Sequence, residues 1–278
     1  MVNPITDIDK VTKVILGKRA FVSKQRSLLV GLSGIDGSGK GFLAKQIVAR
    51  LWQHSVPTAS INVDGWLNLP QKRFNPDNPA EHFYNHAIRF EEMLRDVIVP
   101  LRSSRSHVVE ANIAEETGTQ YQRRTLKFEN AAVVIVEGIF LFKQALREYF
   151  DLRIWIDCSF STALARALER KQEGLPSAAT IKAYETIYFP AQRIHMGHDN
   201  PRDSADLIIN NDPYLRRERR YERGMASVAA TFSEHYVPGW SDGVDQCKDS
   251  APSSTNWLKR AITDLSQLRK DLSSGGDY

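Results

Sequence analysis

Cysteine is scarce in this sequence, and long apolar runs are absent. Cys158 and Cys247 are the only two cysteines among 278 residues, which excludes a disulfide scaffold and a cysteine-rich zinc site and favours a reducing compartment. The longest apolar run covers residues 131–136, far short of the roughly 20 residues of a membrane-spanning helix. The first residues also lack the basic start and apolar core of a secretory signal. We therefore expect a cytoplasmic protein without a membrane partner.

A strong excess of either charge is absent as well. The 37 Lys and Arg residues and the 33 Asp and Glu residues leave a net charge of +4, which is too balanced for a dedicated nucleic-acid binder. Arginines cluster between residues 216 and 223, but Glu218 and Glu222 are interleaved with them. This run favours a solvated helix face with charge pairs three and four residues apart, and an anionic partner is the alternative. We expect no nucleic-acid partner.

The sequence does contain a regular alternation of strand and helix patterns. Strands are predicted at residues 27–33, 58–63, 131–136, 152–156 and 206–210. Helices are predicted at residues 42–51, 79–102 and 162–172, and two short strands around a Gly118 turn are predicted within residues 107–128. Such an alternation is typical of an α/β fold in which helices flank a parallel sheet.

The pattern changes after residue 212. The arginine run is followed by a stretch rich in Ser, Gly, Asp and Pro and then by one amphipathic helical pattern. We predict a domain over residues 1–212 and a C-terminal helical appendage over residues 213–278. The appendage is expected to pack on the core or on a second subunit, so a homo-oligomer stays open as a partner.

The most specific motif lies between the first strand and the first helix. Residues 34–41 read Gly-Ile-Asp-Gly-Ser-Gly-Lys-Gly, which has the G-x-x-x-x-G-K spacing of a phosphate-binding P-loop. Glycines let the backbone turn tightly and present N–H groups to an anion, and a lysine adds a positive charge for the β- and γ-phosphates. The motif predicts ATP binding by Gly34, Ile35, Asp36, Gly37, Ser38, Gly39, Lys40, Gly41 and Phe42.

One position of the motif departs from the usual pattern. Gly41 stands where a Ser or Thr hydroxyl normally binds Mg²⁺. We therefore expect Mg²⁺ either to be held by phosphates, water and acidic side chains alone or to be held weakly.

Two acidic residues end predicted strands of the sheet. Ligands of open α/β sheets bind outside the carboxyl ends of the strands, and Asp64 and Glu137 both stand at such ends. We predict that Asp64 accepts the proton of an attacking hydroxyl and contacts Mg²⁺, with a turn-capping aspartate as the alternative. We predict that Glu137 contacts Mg²⁺, with a buried turn glutamate as the alternative.

Together these motifs make about residues 25–212 resemble the superfamily of uridine kinases, phosphoribulokinases and bacterial pantothenate kinases. Residues 63–67, Val-Asp-Gly-Trp-Leu, are similar to the superfamily's Asp-Gly-Phe motif, and residues 77–79, Asp-Asn-Pro, to its Asp-His-Pro element. Residues 136–140 are similar to its Glu-Gly-Ile strand end, and residues 164–171 to its lid helix. The resemblance implies a P-loop NTPase fold with a lid helix.

The resemblance also implies roles for single residues. Asp64 matches the catalytic base, and Asp77 matches a residue that contacts ribose hydroxyls. Arg166 and Arg170 match lid arginines that contact nucleotide phosphates, so they join Lys40 and Asp64 as predicted catalytic residues. A solvated helix face is the alternative for both arginines.

Two further residues are predicted to contact the acceptor. Arg193 is expected to close over the transferring group, with a solvated position as the alternative. Tyr84 is expected to stack on a base, with a core position as the alternative.

We therefore predict an ATP- and Mg²⁺-dependent kinase that phosphorylates a hydroxyl of a small molecule, with a nucleoside such as uridine as the favoured acceptor. The Tyr-Asp pair and the His by which uridine kinases recognise the base do not map onto residues 109–124. A kinase for another alcohol, such as a sugar, glycerate or a pantothenate-like acid, is therefore an alternative. A non-catalytic ATP-binding regulatory protein is the third hypothesis, and Gly41 favours it.

Overall fold

The computed structural model describes residues 8–115, 117–170 and 176–212. The predicted appendage at residues 213–278 lies outside the described residues, so the boundary at residue 212 stays a prediction. Among the described residues there is no helix with the length and apolar character that a membrane crossing requires.

A five-stranded parallel sheet forms the centre of the described fold. Its strands are β1 (Leu28–Gly34), β2 (Thr58–Asn62), β5 (Val133–Gly138), β6 (Leu152–Asp157) and β7 (Leu207–Asn210), in the order β2-β5-β1-β6-β7. Every residue of β1 and β5 is buried, because both strands have neighbours on each side and helices on both faces. The predicted parallel sheet flanked by helices is confirmed.

A separate antiparallel hairpin contains β3 (His107–Ile113) and β4 (Gln122–Phe128). The register pairs His107 with Phe128 and Ile113 with Gln122. The two short strands predicted around Gly118 are therefore confirmed.

Nine α-helical segments accompany the strands in the described part of the chain. They are α1 (Ile8–Ala20), α2 (Lys40–Gln53), α3 (Pro70–Arg73), α4 (Pro79–His86), α5 (Phe90–Met93), α6 (Val99–Leu101), α7 (Phe160–Arg170), α8 (Ser177–Ala183) and α9 (Phe189–Asp199). Two 3₁₀ turns (Val63–Trp66 and Arg147–Tyr149) and two π-helical turns (Leu94–Ile98 and Tyr184–Tyr188) complete the set. The predicted lid helix corresponds to α7.

The sheet separates two hydrophobic clusters. Leu28, Val30 and Leu32 of β1 belong to the cluster that includes α1 and α2. Leu29 belongs to the other cluster, which includes residues of α4 and α9. Successive strand residues point to opposite faces, so a continuous apolar strand supplies both clusters at once.

The single helix predicted over residues 79–102 is wrong. The chain breaks between α4 and α5, where Ile88 forms an isolated antiparallel bridge with Leu67. There, Asn68 N donates to the Ala87 carbonyl at 2.8 Å, and Arg89 N donates to the Trp66 carbonyl at 2.8 Å. These backbone groups form hydrogen bonds with a distant segment instead of continuing the helix. The spacing of apolar residues along the chain does not reveal such a pairing.

Candidate active site

The P-loop joins β1 to α2 and depends on two glycines with positive φ. Gly37 has φ of 76° and Gly39 has φ of 89°. A Cβ at Gly37 would lie 2.5 Å from the Ala163 carbonyl oxygen, and one at Gly39 would lie 2.5 Å from Nδ2 of Asn211. Both the backbone conformation and the close packing therefore require glycine at these positions.

Arg166 of α7 forms hydrogen bonds with the backbone of the P-loop and of the segment after β7. Its Nη1 donates to the Ser38 carbonyl at 3.2 Å and its Nη2 to the Asn211 carbonyl at 2.8 Å. Asn211 Nδ2 also donates to the Ser38 carbonyl, at 2.7 Å. In this structure the Arg166 guanidinium supports the loop backbone, and its contact with nucleotide phosphates stays a prediction.

Lys40 is the first residue of α2, and its side chain folds back over the loop. Its Nζ donates to the Ile35 carbonyl at 2.8 Å, and the residue is buried. Its positive charge lowers the pKa of both Asp64 and Glu137, in opposition to the effect of burial. The ammonium group is thus electrostatically coupled to both predicted carboxylates.

Asp64 lies in the 3₁₀ turn that follows β2. Asn62 Oδ1 accepts a hydrogen bond from Asp64 N at 2.8 Å, which fixes the turn. The carboxylate is exposed to solvent in a cleft, yet protein atoms around it desolvate it and raise its pKa, and Asp36 adds to this effect. A raised pKa makes a carboxylate a better proton acceptor.

Glu137 lies at the carboxyl end of β5. Burial raises its pKa to about 7, with the charge of Lys40 opposing and that of Asp64 adding to the rise. A Cβ built on Gly41 would lie 3.5 Å from Oε1 of Glu137. The Glu137 carboxylate therefore lies beside the position where the usual motif has a hydroxyl.

Asp64 and Glu137 are the two carboxylates that could hold Mg²⁺ together with ATP. Each is desolvated, and the Asp64 charge raises the pKa of Glu137, so a nearby divalent cation would favour both ionised forms. The described residues contain no group of three or more His, Cys, Asp or Glu that could hold a metal. Mg²⁺ is commonly bound by one or two carboxylates plus substrate phosphates, so the two residues could hold it together with ATP.

A cleft brings together four of the predicted site residues. It contains Asp36, Lys40, Asp64 and Arg170, and Arg170 Nη2 lies 3.9 Å from Asp36 Oδ1. Phe83 also lines it, as do residues that sequence reasoning missed, namely Leu67, Arg73, Ile139, Ala167, Thr180, Tyr184, Tyr188 and Gln192. The last four of these residues, from Thr180 to Gln192, are spaced four apart, and this helical spacing is a signal that could have found them. Sequence reasoning did not use it, because α8 and α9 were not predicted as helices.

The residues that line this cleft do not include Tyr84, Arg193 or Asp77. Tyr84 is buried in the core, where its hydroxyl donates to Asp199 Oδ2 at 2.6 Å. Cζ of Arg193 lies 4.6 Å from the centre of the Phe160 ring. Asp77 lies between α3 and α4. The core alternative matches the position of Tyr84, and the acceptor contacts of the other two residues stay predictions.

The chain is similar in sequence to a family model and to individual proteins. The model of the "Phosphoribulokinase / Uridine kinase family" matches residues 29–175. A uridine kinase from Staphylococcus haemolyticus (strain JCSC1435) is 28% identical over 186 residues, which cover 65% of this chain and 86% of that protein.

Solved structures share the fold. A protein described as a possible uridine kinase from Bacillus stearothermophilus is 19% identical, with a TM-score of 0.57 over 73% of this chain and 96% of its own. A D-glycerate 3-kinase from Cryptococcus neoformans var. grubii is 12% identical, with a TM-score of 0.54 over 73% of this chain and 95% of its own. At these identities the likeness concerns the fold.

Proposed function

The chain belongs to the phosphoribulokinase/uridine kinase family, and from this membership we propose that it transfers the γ-phosphate of ATP to a hydroxyl of a small molecule, with uridine as the favoured acceptor. One observation carries the proposal: the P-loop lysine Lys40 and the carboxylate Asp64 line one cleft, and both are electrostatically coupled to Glu137. The similar uridine kinase of S. haemolyticus supports the choice of acceptor.

The phosphate side of the cleft supplies positive charge. The backbone N–H groups of the P-loop, the N-terminus of α2 and the Lys40 ammonium neutralise the β- and γ-phosphates. Arg170 of α7 lines the same cleft and approaches the transferring group in this proposal. Arg166 keeps the loop in shape through its bonds to the Ser38 and Asn211 carbonyls.

Asp64 orients the acceptor and receives its proton. The acceptor oxygen forms a bond to the γ-phosphorus while the bond from that phosphorus to the β–γ bridging oxygen breaks, and the hydroxyl proton passes to Asp64. Asp64 and Glu137 would hold Mg²⁺ together with the phosphates, and the bound ion would supply charge neutralisation. ADP and the phosphorylated acceptor are the products.

The non-catalytic alternative rests on Gly41. Against it, the Glu137 carboxylate already lies beside Gly41, with Oε1 3.5 Å from the place of a Cβ. A carboxylate is a ligand that Mg²⁺ prefers, so the missing hydroxyl does not leave the site without a protein oxygen. We therefore favour the catalytic reading.

ADP formation by the full chain tests the proposal. The assay compares uridine, D-fructose and D-glycerate as acceptors with MgATP, for the wild type and for Lys40→Met. We expect uridine to give the highest turnover and Lys40→Met to lower it by roughly 10²-fold or more, because one charge that stabilises the transition state is removed. Lys13→Met on the exposed face of α1 is the matched control. Absence of acceptor-dependent ADP formation would refute the proposed function.

A further inference from the structure

One polar side chain in the wall of the cleft has no role in the mechanism above. Gln192 of α9 lines the cleft with 1% of its surface exposed. Neither its Oε1 nor its Nε2 has a hydrogen-bond partner among the described residues. A buried amide without partners destabilises a folded protein. Its presence in a substrate cleft therefore indicates a ligand that supplies the missing partners.

Gln192 ends a row of residues spaced four apart. Thr180, Tyr184, Tyr188 and Gln192 all line the cleft, as expected for one face of a helical segment. The row contains the π-helical turn Tyr184–Tyr188, a local widening that is frequent at functional sites. Two aromatic rings thus share the face that carries the free amide.

This helical face forms one wall of the cleft, and the elements that build it differ from those that build the phosphate-binding side. The ring centres of Tyr188 and Phe83 of α4 are 5.1 Å apart, and both residues line the cleft. The phosphate side is built instead by the P-loop and the first turn of α2. The wall formed by Phe83, Tyr188 and Gln192 is therefore the part of the cleft that the P-loop and α2 leave for the acceptor.

We propose that Gln192 binds the phosphate acceptor and selects an uncharged one. Its Nε2 donates and its Oε1 accepts, so the carboxamide pairs with an adjacent acceptor and donor on the ligand. The imide edge of a pyrimidine base and a pair of sugar hydroxyls both present such a pattern. The neighbouring Tyr184 and Tyr188 rings suit the ring of either ligand. This inference rests on the proposed function, because it assigns a contact to the acceptor of that reaction.

Gln192→Met is the informative variant, because it keeps the length of the side chain and removes both polar atoms. Gln144→Met is the matched control, since Gln144 is exposed and its Nε2 donates to the His198 carbonyl at 2.8 Å. Melting temperatures of the full chain are measured with and without millimolar uridine, D-fructose or D-glycerate, and KM values are measured for each acceptor and for ATP.

Without ligand, we expect Gln192→Met to melt a few degrees above the wild type, because an unpartnered buried amide is removed. We expect uridine or D-fructose to raise the melting temperature of the wild type and of Gln144→Met but not that of Gln192→Met. The KM for that acceptor should rise about tenfold or more in Gln192→Met, and the KM for ATP should not change.

The outcomes separate this inference from the proposed function. A Gln192→Met protein with unchanged acceptor KM, or an equal ligand-induced rise in melting temperature in both variants, overturns the assignment of Gln192 while the kinase function stands. Melting below the wild type without ligand gives the amide a structural role and also overturns it. Gln192-dependent binding of D-glycerate alone contradicts selection of an uncharged acceptor. Gln192-dependent binding without ADP formation overturns the kinase function and supports the binding role.

Discussion

Among single residues, Gly41 and Glu137 form a pair that the P-loop pattern by itself does not reveal. Gly41 is the second residue of α2 and has no positive φ, so a residue with a side chain can adopt its backbone conformation. The place of a Cβ lies 3.5 Å from Glu137 Oε1 and 4.0 Å from Glu137 Cδ, which is ordinary van der Waals contact. A hydroxyl at this position would stand next to the carboxylate that is proposed to contact Mg²⁺.

Gly41→Thr is therefore expected to fold and to reach half-maximal activity at a lower Mg²⁺ concentration than the wild type. The reason is that the hydroxyl adds an oxygen ligand beside Glu137. Activity is measured against Mg²⁺ concentration, with a thermal melt of each protein. Gly41→Ala adds the Cβ without the hydroxyl and serves as the control. Equal Mg²⁺ requirements in Gly41→Thr and Gly41→Ala would mean that the hydroxyl is not a ligand.

Asp64→Asn is expected to lower kcat by roughly 10²- to 10⁴-fold, because it keeps the shape of the side chain and removes the proposed proton acceptor. The KM for ATP should change much less, since the P-loop and Lys40 are the groups proposed to bind the phosphates. Steady-state kinetics with uridine and MgATP measure both quantities. Asp203→Asn, at an exposed position, is the control. A kcat close to that of the wild type would reduce Asp64 to a turn residue.

At the scale of elements, β5 and the 3₁₀ turn after β2 approach each other so closely that no side chain fits between them. A Cβ on Gly138 would lie 1.9 Å from Cγ2 and 2.9 Å from Cβ of Val63. Val63 immediately precedes Asp64, and Glu137 immediately precedes Gly138. This close approach therefore lies between the two paired strand ends that carry the carboxylates.

Gly138→Ala is expected to destabilise the protein by about 3 kcal/mol or more, since neither strand end can move away without disturbing the sheet. Val63→Ala in the same chain removes the Cγ atoms and should restore part of the loss, which a double-mutant cycle of unfolding free energies measures. Strictly additive effects would contradict the proposed contact.

Gly197→Ala provides the matched control for that experiment. Gly197 lies within α9, and nothing stands within 4 Å of the place of its Cβ. We expect this substitution to stabilise the protein by about 0.5–1 kcal/mol, because alanine loses less backbone entropy than glycine on entering a helix.

At the scale of the whole molecule, a buried polar network ties distant parts of the chain together. Asp199 of α9 accepts hydrogen bonds from the Tyr84 hydroxyl at 2.6 Å and from the backbone N of Gln144 at 3.1 Å. His195 Nδ1 lies 2.7 Å from Asp199 Oδ2, and His195 is fully buried. Although burial alone would raise the pKa of Asp199, hydrogen bonds from His195 and Tyr84 lower it.

This network is expected to make the stability of the protein sensitive to acid. Burial lowers the pKa of His195, with Asp199 opposing and Lys143 and His198 adding to the effect. The unfolded chain, in which histidine has its ordinary pKa of about 6.5, therefore binds more protons than the folded chain below that pH. We therefore expect His195 to contribute stability above about pH 6.5 that is lost as the pH falls below it.

His195→Asn is expected to lower the melting temperature at neutral pH, because it disturbs the buried hydrogen bond to Asp199. The same variant should show a smaller loss of melting temperature between about pH 7 and pH 5 than the wild type, since the titrating group is gone. His54→Asn, at an exposed position, should keep the wild-type slope. An unchanged slope in His195→Asn would assign the acid sensitivity to other groups.

The sequence by itself determined the elements whose chemistry is local. Residues 34–41 specify the P-loop because spacing, glycine and lysine all lie in one short segment, and the apolar runs before Gly34, Asp64 and Glu137 specify parallel strands that end at one edge of the sheet. These predictions hold because both the turn geometry and the burial of a strand depend on neighbours in the chain.

Only the tertiary structure decided which side chains meet across the fold. The break at Ile88 depends on a backbone pairing with Leu67, and the support of the P-loop by Arg166 depends on a contact between residues 128 positions apart. Burial of Gln192 in the cleft and of Tyr84 beside Asp199 likewise depends on how α9 packs against α4. Local pattern specifies an element and its faces, whereas the partner of each face is chosen by long-range packing and hydrogen bonding, which no single stretch of sequence contains.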